Sequence, residues 1–275
     1  MPRLRDRHVR WALTPIAIGA LAWPVAITAM IAVRSSTALA QVGLLAFVLD
    51  PEWAPSRSRW LISQLAATTV VSSLAAIGLA APVSLGLALH LRWFAGPIPA
   101  GGVRLVLGVL AGVPSVVYGL VALTVWVPLV RAVQPPGLSL LAASITLAIM
   151  ITPTLALGAD AALQGVEAGP VRAAAALGLG PVDTTRAVLL PLAAPGLRVA
   201  VVVAITRALG ETMALLMVAG NAVSWPSSPF VPVRTLTGGI AVEMAYATGV
   251  HRSALFVCGL LLLLLVSLLA LGGRR

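Results

Sequence analysis

Apolar residues in this chain are gathered into long runs, and the stretches between them hold nearly all of its charges. A helix rises about 1.5 Å per residue, so ~20 apolar residues cross a hydrocarbon core of ~30 Å. Runs of that length fall at 11–33, within 61–91, and at 105–130, 138–159, 196–219 and 253–271. The pattern predicts an all-α polytopic membrane protein with six transmembrane helices. Met1–Arg10 is a basic tail, 11–33 the first helix, 34–60 an external connection with Asp50 and Glu52, and 61–275 one core domain. Within the connections, 37–49 and 236–247 each suit a short surface-lying helix. The segment 160–192 is too polar and interrupted to span. Two short helices joined by Leu177-Gly-Leu-Gly-Pro181 fit it better, on the cytoplasmic side.

The first run has a rival reading. A basic stretch precedes it and Ala38-Leu-Ala40 follows, as in a cleaved signal peptide with Gln41 as the new first residue. Its ~23 residues exceed the usual 7–15 of a signal sequence, which favours a retained anchor.

Composition agrees with a membrane protein. The chain of 275 residues is 60% hydrophobic and only 9% charged, with a net charge of +10 carried by arginine. Most arginines fall in the connections placed inside (Arg92, Arg104, Arg172, Arg186, Arg198) or at the two ends. Fewer (Arg34, Arg57, Arg59, Arg131, Arg234, Arg252) fall outside, so both termini are expected in the cytoplasm. Cys258 is the sole cysteine, and His8, His90 and His251 are scattered, so no metal site is expected. There is no Gly-rich phosphate loop with a following Lys. Prolines 24, 82, 114 and 153 lie inside spans, where they kink helices and free carbonyls. Such prolines mark cavity-lining helices, but Pro is also simply commoner in membrane helices.

Arg207 and Glu211 interrupt the fifth run. Four residues apart on one helix, they would share a face. Charges at that depth are costly and are kept for a structural ion pair or for a substrate pathway.

Two motifs carry a family resemblance. Arg172-Ala-Ala-Ala-Ala-Leu-Gly178, followed at fixed distance by Val188-Leu-Leu-Pro191, resembles the loop of ABC-importer permeases written E-A-A, three residues, G, nine residues, I-x-L-P. Ala173, Ala174, Gly178, Leu190 and Pro191 match, and Arg172 stands where the glutamate is usual. The second motif, Arg207-Ala-Leu-Gly-Glu-Thr-Met-Ala214 with Gly220-Asn221, resembles PstC-type permeases of phosphate ABC importers. Leu110–Gly119 and Thr235–Glu243 are similar to further signatures of that family.

The resemblance implies the type I ABC importer permease fold, with 160–192 as a cytoplasmic coupling loop in the bacterial inner membrane. It implies a second permease subunit of the PstA type, ATPase subunits docked on the coupling loops, and an extracytoplasmic phosphate-binding protein. The chain itself is expected to be no enzyme and to bind no cofactor, ATP and Mg being held by the ATPase. Arg207 would attract phosphate through forked hydrogen bonds. Glu211 would hold Arg207 and balance its charge, with Ser115 and Thr212 as hydroxyl donors near the path. Two alternatives stay open: a permease for another oxyanion such as molybdate or sulfate, and a transport-dead regulatory paralogue, to which Arg172 points.

Overall fold

The computed structural model describes residues 4–273, without the side chains of residues 4–10 and 12. The charges of the basic tail and of the closing Arg274-Arg275 therefore lie outside the described residues. Among those described, five helices are long and apolar enough to cross a membrane, and a pair bent by 92° makes a sixth if the two are counted as one span.

Helix α1 (Leu4–Val42) runs well past the expected end at Val33. Arg34, Ser35, Ser36 and Thr37 are polar but do not break a helix. The chain stops only at Gly43, whose φ of +80° suits a residue without Cβ just beyond a helix end. The segment expected as one surface helix over 37–49 is thus split between the last turn of α1 and α2 (Ala46–Leu49). A two-stranded ladder follows, Trp53–Ala54 against Arg59–Trp60. Asp50 Oδ2 accepts the Trp60 N–H at 2.6 Å.

Helix α3 (Ser63–Trp93) forms a span and buries a seam of small and hydroxylated residues, among them Thr68, Ser72, Ala76 and Ala80. The third span differs from expectation. It is two helices, α4 (Pro97–Gly112) and α5 (Ser115–Thr124), meeting at 92°. Pro114 has no N–H to give the Leu110 carbonyl, and Gly112 offers little resistance to a turn. Helix α6 (Trp126–Val133) completes this region.

Helix α7 (Leu140–Gln164) is the centre of the fold, capped by Ser139, whose Oγ accepts the Ala142 N–H at 3.3 Å. It packs mainly on α3 and α10, with α4, α5 and α11 around it. Asp160, expected in the cytoplasmic segment, lies inside this helix and is buried.

Beyond it come α8 (Ala168–Ala176) and α9 (Pro181–Thr184), the two short helices expected in this loop. They are joined by a Schellman turn: Gly178 has a φ of +78°, Leu179 N–H bonds Ala174 O at 3.1 Å, and Gly178 N–H bonds Ala175 O at 3.0 Å. Helix α9 then continues through a wide π-turn, Thr185–Leu189, into α10 (Leu190–Leu209). Pro191 cannot bond the carbonyl four residues back, and the widened turn ahead of it accommodates the ring.

The fifth span also ends earlier than expected. Helix α10 stops at Leu209, Gly210–Thr212 breaks the chain, and α11 (Met213–Val218) resumes separately. Helix α12 (Leu236–Glu243) is buried beneath the Trp53–Trp60 ladder rather than lying on a surface. Helix α13 (Gly249–Gly272) is the last span and packs along α1. There Ser253 Oγ donates to Arg34 O at 2.7 Å and accepts the Ala38 N–H at 2.9 Å. A regular α-helix pairs those two backbone groups with each other.

Two close approaches join these elements. Gly158 and Ala162 on α7 face Ala200 and Gly196 on α10, with a four-residue spacing on each helix. Small residues at that spacing let helix backbones come together in a membrane. Gly119 on α5 likewise meets Ala214 and Met217 on α11, which brings the second halves of both broken spans together.

Candidate functional site

Arg207 stands in the last turn of α10, half-buried. Its Nη1 donates to Thr154 Oγ1 at 2.7 Å and its Nη2 to the Ala111 carbonyl at 3.1 Å. Both partners follow from the helix breaks. A continuous helix would have spent the Ala111 carbonyl on residue 115, but the chain turns at Gly112–Pro114 and leaves it free. The Leu110 carbonyl, orphaned by Pro114, accepts the Tyr118 hydroxyl at 2.8 Å and the Val113 N–H at 3.2 Å. The bend in the third span is therefore sealed by one guanidinium and one phenol.

The expected pairing of Arg207 with Glu211 does not form. No ion pair joins them among the described residues, because the helix that would align them ends at Leu209. Glu211 instead turns to the start of α11, where its Oε1 accepts the Ala214 N–H at 3.1 Å. A carboxylate there satisfies an orphan donor and complements the helix dipole. The Glu211 carbonyl accepts the Thr237 hydroxyl at 2.7 Å, tying this break to α12. Thr212 Oγ1 bonds the Gly210 carbonyl at 3.3 Å, and Ser115 opens α5, half-buried and with no side-chain hydrogen bond among the described residues.

The consequence for charge is direct. A guanidinium has five N–H donors and no acceptor. Arg207 is held by two neutral oxygens, so no carboxylate among the described residues cancels it and donors remain for another ligand.

Neutral hydroxyls and carbonyls carry no weight in a search for charged residues, so Thr154, Tyr118 and the Ala111 carbonyl were not among the expected site residues. The usable signal was Pro114: a proline inside a span orphans a carbonyl, and something nearby must answer it.

The two buried carboxylates, Asp160 and Glu243, are each paired among the described residues. Asp160 accepts Arg104 Nε at 2.7 Å, Arg104 Nη2 at 3.2 Å and Gln164 Nε2 at 2.6 Å, clamping α4 to α7. Glu243 takes Arg234 Nη1 at 2.6 Å and Trp53 Nε1 at 3.0 Å, with His251 Nε2 2.8 Å away. That cluster binds α12, α13 and the two-stranded ladder together. Among the described residues no group of three or more His, Cys, Asp or Glu side chains is placed to hold a metal.

On the loop between α7 and α10, Arg172, Ala173 and Gly178 are exposed, Ala174 is buried, and Leu190 and Pro191 begin α10. Leu177 and Val182 stand exposed beside Gly178 at 82% and 62%, an apolar tip on a loop that should otherwise be polar.

Comparison with known proteins matches residues 80–273 to the family described as the inner membrane component of binding-protein-dependent transport systems. A Bacillus subtilis (strain 168) protein named probable ABC transporter permease protein YqgH is 33% identical, over 96% of this chain and 88% of its own length. The phosphate transport system permease protein PstC of Haemophilus influenzae is 31% identical, over 83% of this chain and 79% of its own. Among solved structures, a bacterial alginate ABC transporter chain superposes with a TM-score of 0.65 over 99% of this chain and 96% of that one, at 13% identity. A chain of the MetNI methionine ABC transporter in an inward-facing conformation gives 0.57 over 78% and 91%, at 23% identity.

Proposed function

This chain belongs to the family of inner membrane components of binding-protein-dependent transport systems, and from that premise we propose that it forms half of the pathway of an ATP-driven phosphate importer. Members of the family are non-catalytic, multi-pass membrane subunits. They work with separate ATPase subunits and with a binding protein that delivers the cargo. In the reading proposed here the other half is a PstA-type permease, the binding protein carries phosphate, and both termini of this chain face the cytoplasm.

One observation carries the choice of an oxyanion: Arg207 is a cation at the meeting point of two broken spans, positioned by Thr154 and Ala111 and neutralised by no acid among the described residues. A charge within a membrane span and without a counter-ion is expensive even when half-buried, and such residues mark pathways. Phosphate answers the remaining donors, since a guanidinium bonds its oxygens in a fork. The neutral oxygens already on Arg207 limit how tightly the anion is gripped, which lets it leave again. Ser115, at the start of α5, and Thr212 supply hydroxyls beside the path. Glu211 acts indirectly in this reading, by anchoring the start of α11.

The choice of phosphate over another oxyanion is supported by the similarity to PstC proteins, at about 30% identity. On the loop, Arg172, Ala173, Ala174, Gly178, Leu190 and Pro191 form the docking element for the ATPase, with the exposed Leu177 and Val182 as its apolar tip.

The test is radiolabelled phosphate uptake in a strain without other phosphate importers, with complex yield measured alongside. Arg207→Gln keeps hydrogen bonding but loses the charge and the fork, so the complex assembles and uptake falls to background. Thr154→Val keeps the charge and removes its tether, a bond of about 1.5–3 kcal/mol, and lowers uptake less. Normal uptake by assembled Arg207→Gln removes Arg207 from the pathway. Uptake abolished equally by molybdate or sulfate in excess moves the substrate to oxyanions in general.

A further inference from the structure

A groove of about 1080 Å3 opens between α1 and α13, at the end of the molecule where the Trp53–Trp60 ladder lies. Arg34 and Arg252 both line it, together with the apolar Met30, Val33 and Phe256. We propose that this groove binds one anionic phospholipid, its phosphate held between Arg34 and Arg252 and an acyl chain laid along Met30, Val33 and Phe256.

Charge comes first. Both arginines are exposed, and neither forms an ion pair among the described residues. The carboxylates of this end are already engaged. Asp50 accepts the Trp60 N–H, Glu52 faces Arg57 and Arg59, and Glu243 holds Arg234 and Trp53 beside His251. No described carboxylate at this end is left to answer Arg34 and Arg252, so both are open to an anion from outside the chain.

Polarity then runs in the right direction. Arg252 is in the first turn of α13, and Arg34 lies near the end of α1. Phe256 is one turn further into α13, and Met30 and Val33 are further back into α1. A ligand with its charge at the arginines and a tail pointing toward mid-membrane fits that order, as a phospholipid does and a free phosphate ion does not. Arginine is suited to a phosphodiester because it offers two parallel donors. A zwitterionic lipid brings its own ammonium and gains less.

Spacing is fixed by Ser253, beside Arg252. Its hydroxyl bridges Arg34 O and Ala38 N, so the backbones carrying the two arginines are joined at the groove itself.

The experiment is native mass spectrometry of the purified, delipidated importer complex, titrated with phosphatidylglycerol, phosphatidylcholine or inorganic phosphate. Expected is one tightly retained phosphatidylglycerol, weaker phosphatidylcholine, and no displacement by inorganic phosphate at millimolar excess. Arg34→Gln with Arg252→Gln lowers phosphatidylglycerol retention roughly tenfold to thirtyfold, at about a factor of five per arginine. If the double variant fails to assemble, Arg34→Gln alone is read the same way, with about a fivefold loss. Undiminished retention in the variant, equal retention of phosphatidylcholine, or displacement by inorganic phosphate overturns the proposal. So does a variant that keeps its lipid but no longer captures the extracytoplasmic binding protein, since the arginines then serve a protein partner.

Discussion

Replacing Gly158 by Ala adds one methyl group at the closest approach of α7 and α10. The new Cβ would lie 2.7 Å from Ala200 Cβ and 3.4 Å from Ala200 Cα. Carbon atoms rest at about 3.5–4.0 Å, so the helices must part by roughly 1 Å at the crossing. Overpacking of this kind costs about 1–3 kcal/mol. The displacement also reaches the site. Thr154 is one turn from Gly158 on α7, Arg207 is about two turns from Ala200 on α10, and their bond is 2.7 Å long. Lengthened by roughly 1 Å it leaves the hydrogen-bonding range. Thermal unfolding of the detergent-solubilised protein should therefore show Gly158→Ala destabilised, and transport by the assembled complex should fall as well. The second change Ala200→Gly removes the atom in the way. The double variant should recover most of both losses, with a coupling of about 1–2 kcal/mol between the two positions. Unchanged stability in Gly158→Ala, or a double variant worse than the sum of its parts, would refute the view that this crossing sets the geometry around Arg207.

Gly178→Ala should fray the end of α8 by about 1 kcal/mol, because a φ of +78° is unfavourable for Ala although open space surrounds it; reduced co-purification of the ATPase with spans intact is the measurement. Glu243→Ala should lower thermal stability by about 3–5 kcal/mol, since the half-buried Arg234 is left without its acid and the Trp53 N–H without its acceptor. If both termini are cytoplasmic, a reporter fused after Arg275 reads cytoplasmic and one inserted near Ser227 reads external; the opposite pattern inverts the orientation assigned here.

Hydrophobic runs made the spans legible, since a membrane demands continuous apolar length whatever the fold around it. They did not reveal where a run breaks. The bend at Gly112–Pro114 lies in residues without charge and leaves hydropathy almost unchanged, and at Gly210–Thr212 the charge of Glu211 reads equally well as a residue on an unbroken helix. The reading of Arg207 and Glu211 as partners failed for that reason: their spacing has meaning only on an unbroken helix. Polarity misled in the other direction at Arg34–Thr37 and Asp160, which sit inside helices: Ser35 and Ser36 bond carbonyls of their own helix, and Asp160 finds Arg104 on another. The loop motif was readable in detail because Gly178 is required by local backbone geometry, which sequence encodes without reference to distant contacts.

Ser253 also makes the attachment of α1 one-sided. Its hydroxyl borrows a carbonyl and an amide that are each other's natural partners. When α1 moves away from α13, Arg34 O and Ala38 N have each other as helix partners, and the first helix leaves with its hydrogen bonding complete. The serine is the party left wanting, and it can turn to a carbonyl on its own helix. Separation at this point therefore strands no backbone group in hydrocarbon on either side. The contact behaves as a clasp that both helices can release whole, and the first helix can be undocked from the core without being unfolded.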